Sequence, residues 1–175
     1  MELGAMIPDA DLAGLATFDD LFRAMFPKVA RTAALVTRDP HLGPDLAQEA
    51  FARLYERWDR MESPEHARNF VFRVAVNLGR SHLRRRLAAP FGLSGPEHAT
   101  ADTTGRTDDW LNIAAALAQL SSSQRAAVVL IDYADLDSIS AAAILGVSAS
   151  TARSNLMRGR TALREALGMT EGADR

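Results

Sequence analysis

Residues 136–163 read LDSISAAAILGVSASTARSNLMRGRTAL and have the pattern of two helices joined by a tight turn. The first segment, about 138–145, is rich in small side chains and ends before Gly146, which can take the positive φ of a helix C-terminus. The second segment, about 150–163, places small or apolar residues three or four positions apart on one face. That face consists of Ala152, Leu156, Gly159 and Leu163. The pattern predicts a helix-turn-helix, whose second helix is the kind that enters a DNA major groove.

The second helix of this motif is predicted to be strongly basic. Its arginines lie off the predicted buried face, and no acidic residue interrupts them before Glu165; they are Arg153, Arg158, Arg160 and Arg164. Arginine-rich helix faces are also often only solvated. The motif by itself therefore leaves both DNA binding and a purely structural role open.

The composition and the residue spacing argue against several classes of protein and of binding site. The 175 residues are 47% hydrophobic and 24% charged, as in globular proteins, and no cysteine is present to form disulfides or thiolate metal sites. The histidines have no metal-ligand spacing, and no nucleophile–base pair or phosphate-binding loop is evident, so we expect no enzyme activity, metal or cofactor. No run of about 18 apolar residues could insert into a membrane, and the acidic N-terminus lacks a basic signal region, so we expect a cytoplasmic protein.

Basic residues are concentrated in two islands despite the net charge of −2. Residues 66–89 contain six arginines and no acidic residue, and residues 145–164 contain four arginines and no acidic residue. The acidic residues gather instead near the N-terminus and around residues 97–109. Because local potential governs contact with phosphate, the two islands predict two nucleic-acid-binding surfaces.

The predicted secondary structure is almost entirely helical. Thr17 is the expected N-cap of a first helix that ends near residue 37, and Pro44 is the expected first residue of a second helix that ends near residue 59. Further helices are predicted over about 65–87, 109–120 and 124–133, with the serines at 121–123 capping the last of these. In the third helix we predict an inward stripe at Phe70, Val74, Asn77, Leu78 and Ser81.

Residues 88–108 separate the two helical regions and are rich in Gly, Pro, Ser and Thr. We therefore predict an all-α fold of two small helical domains joined by a flexible linker, with the helix-turn-helix in the C-terminal domain. Fully extended, the linker spans roughly 70 Å, enough for the domains to contact separate sites on one duplex. The predicted limits are an acidic tail at 1–16, a first domain at 17–87, the linker at 88–108, a second domain at 109–168 and a tail at 169–175.

Three short segments carry a family resemblance. Residues 45–55, DLAQEAFARLY, are similar to the pattern DLxQExFxRLW, and residues 70–77, FVFRVAVN, are similar to WLYRIAxN. Residues 148–160, SASTARSNLMRGR, are similar to VxxGTVKSRLxRAR. In this order and at these distances, the segments resemble the bacterial RNA polymerase sigma factors of the extracytoplasmic-function group, which contain only the domains called region 2 and region 4.

The resemblance implies that the chain binds core RNA polymerase and directs transcription initiation at promoter DNA, with an anti-sigma factor as a further partner. Contacts with core polymerase are implied at Asp45, Gln48, Glu49 and Arg53. Contacts with the minus-10 element are implied at Arg68, Asn69, Asn77, Arg80, Arg84, Arg85 and Arg86. The loop 59–66 and the start of the next helix are implied to capture its unwound strand. Contacts with the minus-35 element are implied at Ser150, Thr151, Arg153, Ser154, Met157, Arg158 and Arg160. Among these, Arg153 is the expected reader of a base edge, because arginine can pair bidentately with guanine, and Arg158 and Arg160 are expected to hold phosphate.

Two other functions stay open at this point. One is a stand-alone helix-turn-helix regulator that binds DNA without polymerase, and the other is a sigma-like adaptor that binds polymerase without recognising promoters.

The chain departs from the family pattern at several positions, including Asp135 in place of a glycine and Ala152 in place of a valine. Glu49 and Arg53, four residues apart on a helix, could simply pair with each other. The aromatic residues Phe70 and Phe72 are predicted to lie in the core rather than to stack on bases.

Overall fold

The computed structural model describes residues 17–88 and 108–168, and within these ranges the regular secondary structure is helical. The elements are α1 Phe18–Thr37, α2 Leu42–Tyr55, a 3₁₀ turn Trp58–Arg60, α3 Pro64–Ala88, α4 Asp108–Ala118, α5 Ser122–Val128, a π-helical turn Val129–Tyr133, α6 Ser138–Leu145 and α7 Ala149–Ala166. The prediction of an all-α fold is confirmed. The two predicted tails and residues 89–107 of the predicted linker lie outside the described residues.

The first domain is a bundle of α1, α2 and α3. Thr17 caps α1 as predicted, because its Oγ1 accepts a hydrogen bond from the amide of Asp20 at 3.2 Å. The close approach of α1 and α2 depends on Gly43, since a Cβ at that position would overlap the carbonyl oxygen of Ala30. The fully buried side chains between the three helices include Leu21, Val29, Val36, Phe51, Leu54, Val71, Phe72 and Val76.

The second helix begins earlier and ends earlier than predicted. Oδ1 of Asp39 accepts hydrogen bonds from the amides of His41 at 3.0 Å and Leu42 at 3.3 Å, and these bonds start α2 at Leu42. Pro44 is therefore not the first residue of the helix but the third, still in the first turn, where its missing N–H leaves no intrahelical bond unmade. The helix ends at Tyr55, and the chain continues into the 3₁₀ turn instead of remaining helical to Asp59.

The inward face of α3 is not the predicted stripe. The buried residues of this helix are Ala67, Val71, Phe72, Ala75, Val76 and Gly79. The predicted stripe, from Phe70 to Ser81, lies beside them and is partly buried or exposed. The prediction is wrong because α3 is apolar on more than one side and packs against α1 and α2 as well as α6. Phe72 is a core residue as predicted, whereas Phe70 is only partly buried.

The helix-turn-helix is confirmed within the second domain, at α6 and α7. Gly146 ends α6 with a φ of 68°, the left-handed value that was predicted for it. The predicted inner face of α7 is also confirmed, since Ala152 and Gly159 are buried and Leu156 and Leu163 pack against the core. These contacts fix the opposite face of α7 toward the outside.

Two caps start the helices that pack against α7, and one glycine lets α7 approach them closely. Ser121 and Gln124 form a capping box that starts α5, as the serine-rich turn predicted. A Cβ at Gly159 would lie 2.6 Å from Cγ2 of Val128, so α5 and α7 can only approach this closely because position 159 has no side chain. Asp137 caps α6 by accepting hydrogen bonds from the amides of Ile139 and Ser140.

The two domains pack against each other in this structure. Their buried apolar residues form one continuous cluster, with α6 against α3 and the π-helical turn against α1. The guanidinium of Arg125 reaches across the boundary, and its Nε donates to the carbonyl oxygen of Val36 at 3.0 Å. The structure thus shows both domains and a direct contact between them.

Candidate nucleic-acid and polymerase interfaces

The outer face of α2 presents the polar residues that the sequence singled out. Asp45, Gln48, Glu49 and Arg53 are all exposed, on the side of the helix opposite Leu46, Ala50 and Leu54. Arg53 Nε donates to Glu49 Oε1 at 2.8 Å, so these two side chains do pair with each other. Both remain about half exposed, which leaves their outer edges available to another molecule. The face extends to Tyr55, which is 67% exposed and was not predicted as part of it.

A cluster of aromatic rings supports the end of α2 and the 3₁₀ turn after it. The ring of Phe18 meets Tyr55 at 5.0 Å and Trp58 at 5.6 Å between centroids, both edge to face. Phe22 meets Phe51 in the same way at 5.0 Å. Such pairs add stability beyond the area they bury. The cluster therefore holds the turn Trp58–Arg60 against α1. This turn forms one wall of a cleft between α2 and α3.

An arginine-rich cleft of about 620 Å³ lies between the end of α2, the 3₁₀ turn and α3. Its lining combines cations with apolar and amide groups: Arg53, Arg57, Arg60, Met61, His66, Phe70, Arg73, Val74, Asn77, Leu78 and Ser81. The guanidinium of Arg57 lies 5.6 Å from the centre of the Phe70 ring. Cations around an apolar floor suit a nucleotide, whose phosphate is charged and whose base is flat. The stripe that was predicted to face the core thus forms one wall of this cleft.

Four of the basic lining residues were not named as minus-10 contacts: Arg57, Arg60, His66 and Arg73. Of these, Arg60 and His66 belong to the loop 59–66, which was expected to capture the strand. The four come from the end of one helix, a turn and the next helix, so no single periodic pattern contains them. Their one signal in the sequence is the concentration of arginine on both sides of the Met61–Pro64 loop.

The residues that were predicted to contact the minus-10 element do not all lie on one surface of the structure. Asn77 lines the cleft, while Arg84, Arg85 and Arg86 are exposed at the end of α3. Arg68, Asn69 and Arg80 are partly buried away from it. Asn69 Nδ2 lies 3.5 Å from Ser140 Oγ, and Arg80 Nη1 donates to the carbonyl oxygen of Leu145 at 3.1 Å. Two of the predicted residues are therefore bonded to the first helix of the helix-turn-helix.

The second helix of the motif presents the predicted minus-35 residues on its open side. The exposed residues are Ser150, Thr151, Arg153, Met157, Arg158 and Arg160, and Ser154 is partly buried. Ser148 caps this helix by accepting from the amide of Thr151 at 3.1 Å, and its hydroxyl lies 2.9 Å from that of Ser150. The start of α7 therefore offers hydroxyls and helix-terminal amides, both of which bind phosphate readily.

Arg160 is engaged by an acidic residue that sequence reasoning did not single out. Its Nε and Nη2 donate to the two carboxylate oxygens of Asp132, at 3.0 Å and 2.5 Å. The hydrogen bonds and charge of Asp132 raise the pKa of Arg160 above its usual value. Arg153 has a weaker attachment, with Nη1 3.5 Å from Ser138 Oγ. Arg160 is therefore held in place, whereas Arg153 can turn toward a ligand at little cost.

Within residues 17–88 and 108–168, no three His, Asp or Glu side chains are grouped closely enough to bind a metal ion. In the same ranges no helix has the length and apolar character needed to cross a membrane.

Comparisons with known proteins agree with this arrangement. The sigma-70 region 2 model matches residues 21–88, and the sigma-70 region 4 model matches residues 110–163. An RNA polymerase sigma-E factor of Streptomyces coelicolor is 32% identical over 151 residues, which cover 86% of this chain and 85% of that protein. The extracytoplasmic-function (ECF) sigma factor SigM of Mycobacterium tuberculosis is 29% identical over 151 residues, with 86% and 77% covered.

A solved structure has the same fold. The sigma factor RpoE of Bartonella quintana, crystallised with the anti-sigma factor NepR, matches with a TM-score of 0.69 at 24% identity. The match covers 90% of this chain and 98% of that one. The resemblance drawn from the three sequence segments is confirmed, and the alternative of a stand-alone regulator is not favoured. The chain belongs to the extracytoplasmic-function group of RNA polymerase sigma factors, the subunits that direct polymerase to particular promoters.

Proposed function

We propose that this sigma factor binds core polymerase through the outer face of α2 and reads promoters with the cleft and with α7. The observation that carries the proposal is the cleft, where four arginines and a histidine surround an apolar floor directly beside the polar face of α2. A strand captured there would lie next to the docked polymerase. The protein itself supplies binding and placement, and the polymerase performs the chemistry.

The outer face of α2 supports the docking part of the proposal. Asp45, Gln48 and Glu49 are exposed along one side, while the buried side of the same helix is locked by Leu46, Ala50 and Leu54. The Glu49–Arg53 pair keeps an acidic and a basic group at a fixed spacing. Charged groups arranged in this way set partner choice and association rate more than raw affinity.

The cleft supports capture of a single strand at the minus-10 element. A base taken out of the duplex needs a pocket with a stacking surface and hydrogen-bonding groups, which Phe70 and Asn77 supply. The arginines at positions 57, 60 and 73 are placed to neutralise the phosphates on either side. Arg84, Arg85 and Arg86 extend the basic surface toward the end of α3.

The helix α7 supports reading of the minus-35 element in the major groove. Arg153 is exposed near its N-terminus, where recognition helices contact base edges. Ser150 and Thr151 lie at the same end and suit phosphate, as does Arg158 further along. Arg160 would contribute only with donors that Asp132 does not use.

A protein partner and a location complete the proposal. The Bartonella relative is held by an anti-sigma factor, and we propose a regulator of that class here. The second domain exposes apolar side chains that such a partner would cover, including Ile139, at 71%, and Met157, at 66%. We place the protein in the bacterial cytoplasm, because core polymerase and promoter DNA are there.

The test is reconstitution with purified core polymerase and a library of promoter DNA, followed by mapping of transcript starts. We expect co-purification with core and initiation at a small, shared class of promoters. Asp45→Lys should abolish most of the co-purification, whereas Asp19→Lys, the same charge change at an exposed site on α1, should not. Co-purification without initiation would favour the adaptor, and absence of co-purification would contradict the proposal.

A further inference from the structure

We infer that Asp132 is a specificity-determining residue of the minus-35 surface, because it holds Arg160 in one orientation and cancels its charge. Arg160 then bonds a phosphate that the duplex brings to its free edge, and it adds little to the attraction of random DNA. The inference rests on the proposed function, in which α7 reads the minus-35 element. Asp132 lies outside α7, and none of the three sequence segments that carry the family resemblance contains it.

Close packing of α7 on α5 brings the two side chains together. A Cβ at Gly159 would lie 2.6 Å from Cγ2 of Val128, so the two helices lie close together directly before Arg160. Asp132 follows α5 in the π-helical turn, four residues after Val128. Such turns are rare in helices and are frequent at functional sites. The pair is thus set by tertiary packing, with one partner on α7 and the other beside it.

The pair uses two of the five N–H groups of Arg160. Its Nε donates to Oδ2 of Asp132 at 3.0 Å, and its Nη2 donates to Oδ1 at 2.5 Å. The N–H groups that remain, on Nη1 and on the outer side of Nη2, form the edge of the guanidinium that points away from Asp132. The side chain of Arg160 is 49% exposed, which leaves this edge accessible. A planar fork with one edge fixed and the other free suits bidentate bonding to a phosphate.

The position of Arg160 along α7 suits a phosphate and not a base. Arg153 lies seven residues earlier, so the two arginines lie on the same side of the helix, about 10 Å apart along its axis. Recognition helices contact bases with their N-terminal residues, as proposed for Arg153, and later residues meet the backbone. Nη1 of Arg153 lies 3.5 Å from the uncharged hydroxyl of Ser138, so its charge is kept. Among the described residues, Arg160 is the arginine of α7 that pairs with a carboxylate.

Pairing with Asp132 separates the direction of Arg160 from its charge. Attraction to any duplex depends on cations that displace counterions from the phosphates. The pair has no net charge and adds little to this attraction, yet the hydrogen bonds from its free edge require a phosphate at one place. Asp132 therefore lowers the affinity for random DNA more than the affinity for the promoter, which raises the ratio of the two.

Four forms of the full chain test this role: wild type, Asp132→Asn, Arg160→Gln and the double variant. Each is titrated over a series of salt concentrations against a duplex with the minus-35 element of a mapped promoter, and against a random-sequence duplex of the same length. We expect Asp132→Asn to bind the random duplex about threefold more tightly, with a salt dependence of log affinity that is steeper by about one unit. The promoter duplex should gain less, so that the ratio of the affinities falls.

The double variant keeps the net charge of the wild type but lacks the fork. We expect it to bind the random duplex as the wild type does and the promoter duplex about fivefold more weakly. Arg160→Gln alone leaves the charge of Asp132 uncompensated and should weaken binding to both duplexes. Asp19→Asn, the same change of charge at an exposed site on α1, is the matched control and should change neither affinity. All forms should unfold in urea near the wild-type midpoint, because exposed ion pairs contribute little to stability.

The outcomes separate this inference from the proposed function. If the wild-type chain does not prefer the promoter duplex to the random one, the proposed reading by α7 is wrong. If the wild type discriminates but Asp132→Asn leaves the random-duplex affinity and its salt dependence unchanged, Asp132 does not cancel the charge of Arg160 and the inference is wrong. Binding of the promoter duplex by the double variant as tightly as by the wild type would also overturn it.

Discussion

The cleft between α2 and α3 and the outer face of α7 are both basic, yet they are built differently. The face of α7 belongs to one continuous helix, and its side chains point outward because Ala152 and Gly159 are packed beneath them. The cleft draws its arginines from the end of α2, a 3₁₀ turn and α3, and aromatic rings hold the first two of these parts against α1. One surface is therefore local and convex, and the other is assembled and concave. This difference suits a duplex groove in one case and an extruded base in the other.

The two surfaces also differ in their contacts with the other domain. The exposed residues of α7 face outward, while α6 lies along α3 and bonds Asn69 and Arg80 within the first basic island. In this conformation the face of α7 that we propose to read the duplex is thus open, and part of the surface that we propose for the minus-10 element is covered. Changes that disable one surface and spare the other test this separation.

The largest effect is expected from Gly159→Val, which removes the support beneath α7. The new side chain would meet Val128 Cγ2 and the carbonyl oxygen of Gln124, at 2.6 and 3.2 Å from its Cβ. We expect a loss of about 3 kcal/mol in the free energy of unfolding of the second domain. Urea unfolding measures the loss, and minus-35 duplex binding should fall with it. Thr161→Val, at an exposed position of the same helix, should change neither.

Arg153→Ala should weaken minus-35 binding by about 2 kcal/mol and relax the base preference at one position. The reason is that arginine contacts base edges bidentately and alanine cannot. Binding to duplexes with each single substitution, at fixed salt, gives the measurement. Core polymerase binding should be unchanged; an equal fall in core binding would show that Arg153 has a different role.

Arg73→Ala should weaken single-strand binding by about 1 kcal/mol while leaving minus-35 duplex binding intact. Removing one phosphate contact also lowers the dependence of log affinity on log salt by about one unit. A titration series over salt concentration with holoenzyme distinguishes this from loss of folding. Arg23→Ala, an exposed arginine on α1, is the matched control and should leave the salt slope as it is.

The smallest effect is expected from Asp137→Ala at the cap of α6, about 1 kcal/mol at pH 7. Hydrogen bonds from the hydroxyl and amide of Ser140 hold the pKa of Asp137 below its usual value. A carboxylate with a lowered pKa stabilises the fold above its unfolded pKa of about 3.9, and this contribution is lost as the pH falls through the folded pKa. The difference between variant and wild type in thermal unfolding should therefore shrink in acid. A difference that is constant from pH 7 to pH 3 would contradict the role of the charge.

The buried face of α3 was predicted wrongly, and the reason explains why part of the candidate site could not be predicted. Its sequence is apolar on more than one side, so the stripe from Phe70 to Ser81 and the stripe from Ala67 to Val76 are equally acceptable as a buried face. Only packing against α1, α2 and α6 selects between them. Arg57 and Arg73 were missed for the same reason, since a concave site made of several elements has no single period.

The sequence by itself determined the helical class, the helix-turn-helix and its open face, because these depend on neighbours within one or two turns. Gly146 and the alternation of Ala152, Leu156, Gly159 and Leu163 carry that information locally. Only the tertiary structure decided which basic residues share a cleft and which ones the other domain holds. The bonds from Arg80 to Leu145 and from Arg125 to Val36 join residues 65 and 89 positions apart. Contacts at that separation depend on how whole helices pack, and no local pattern records them.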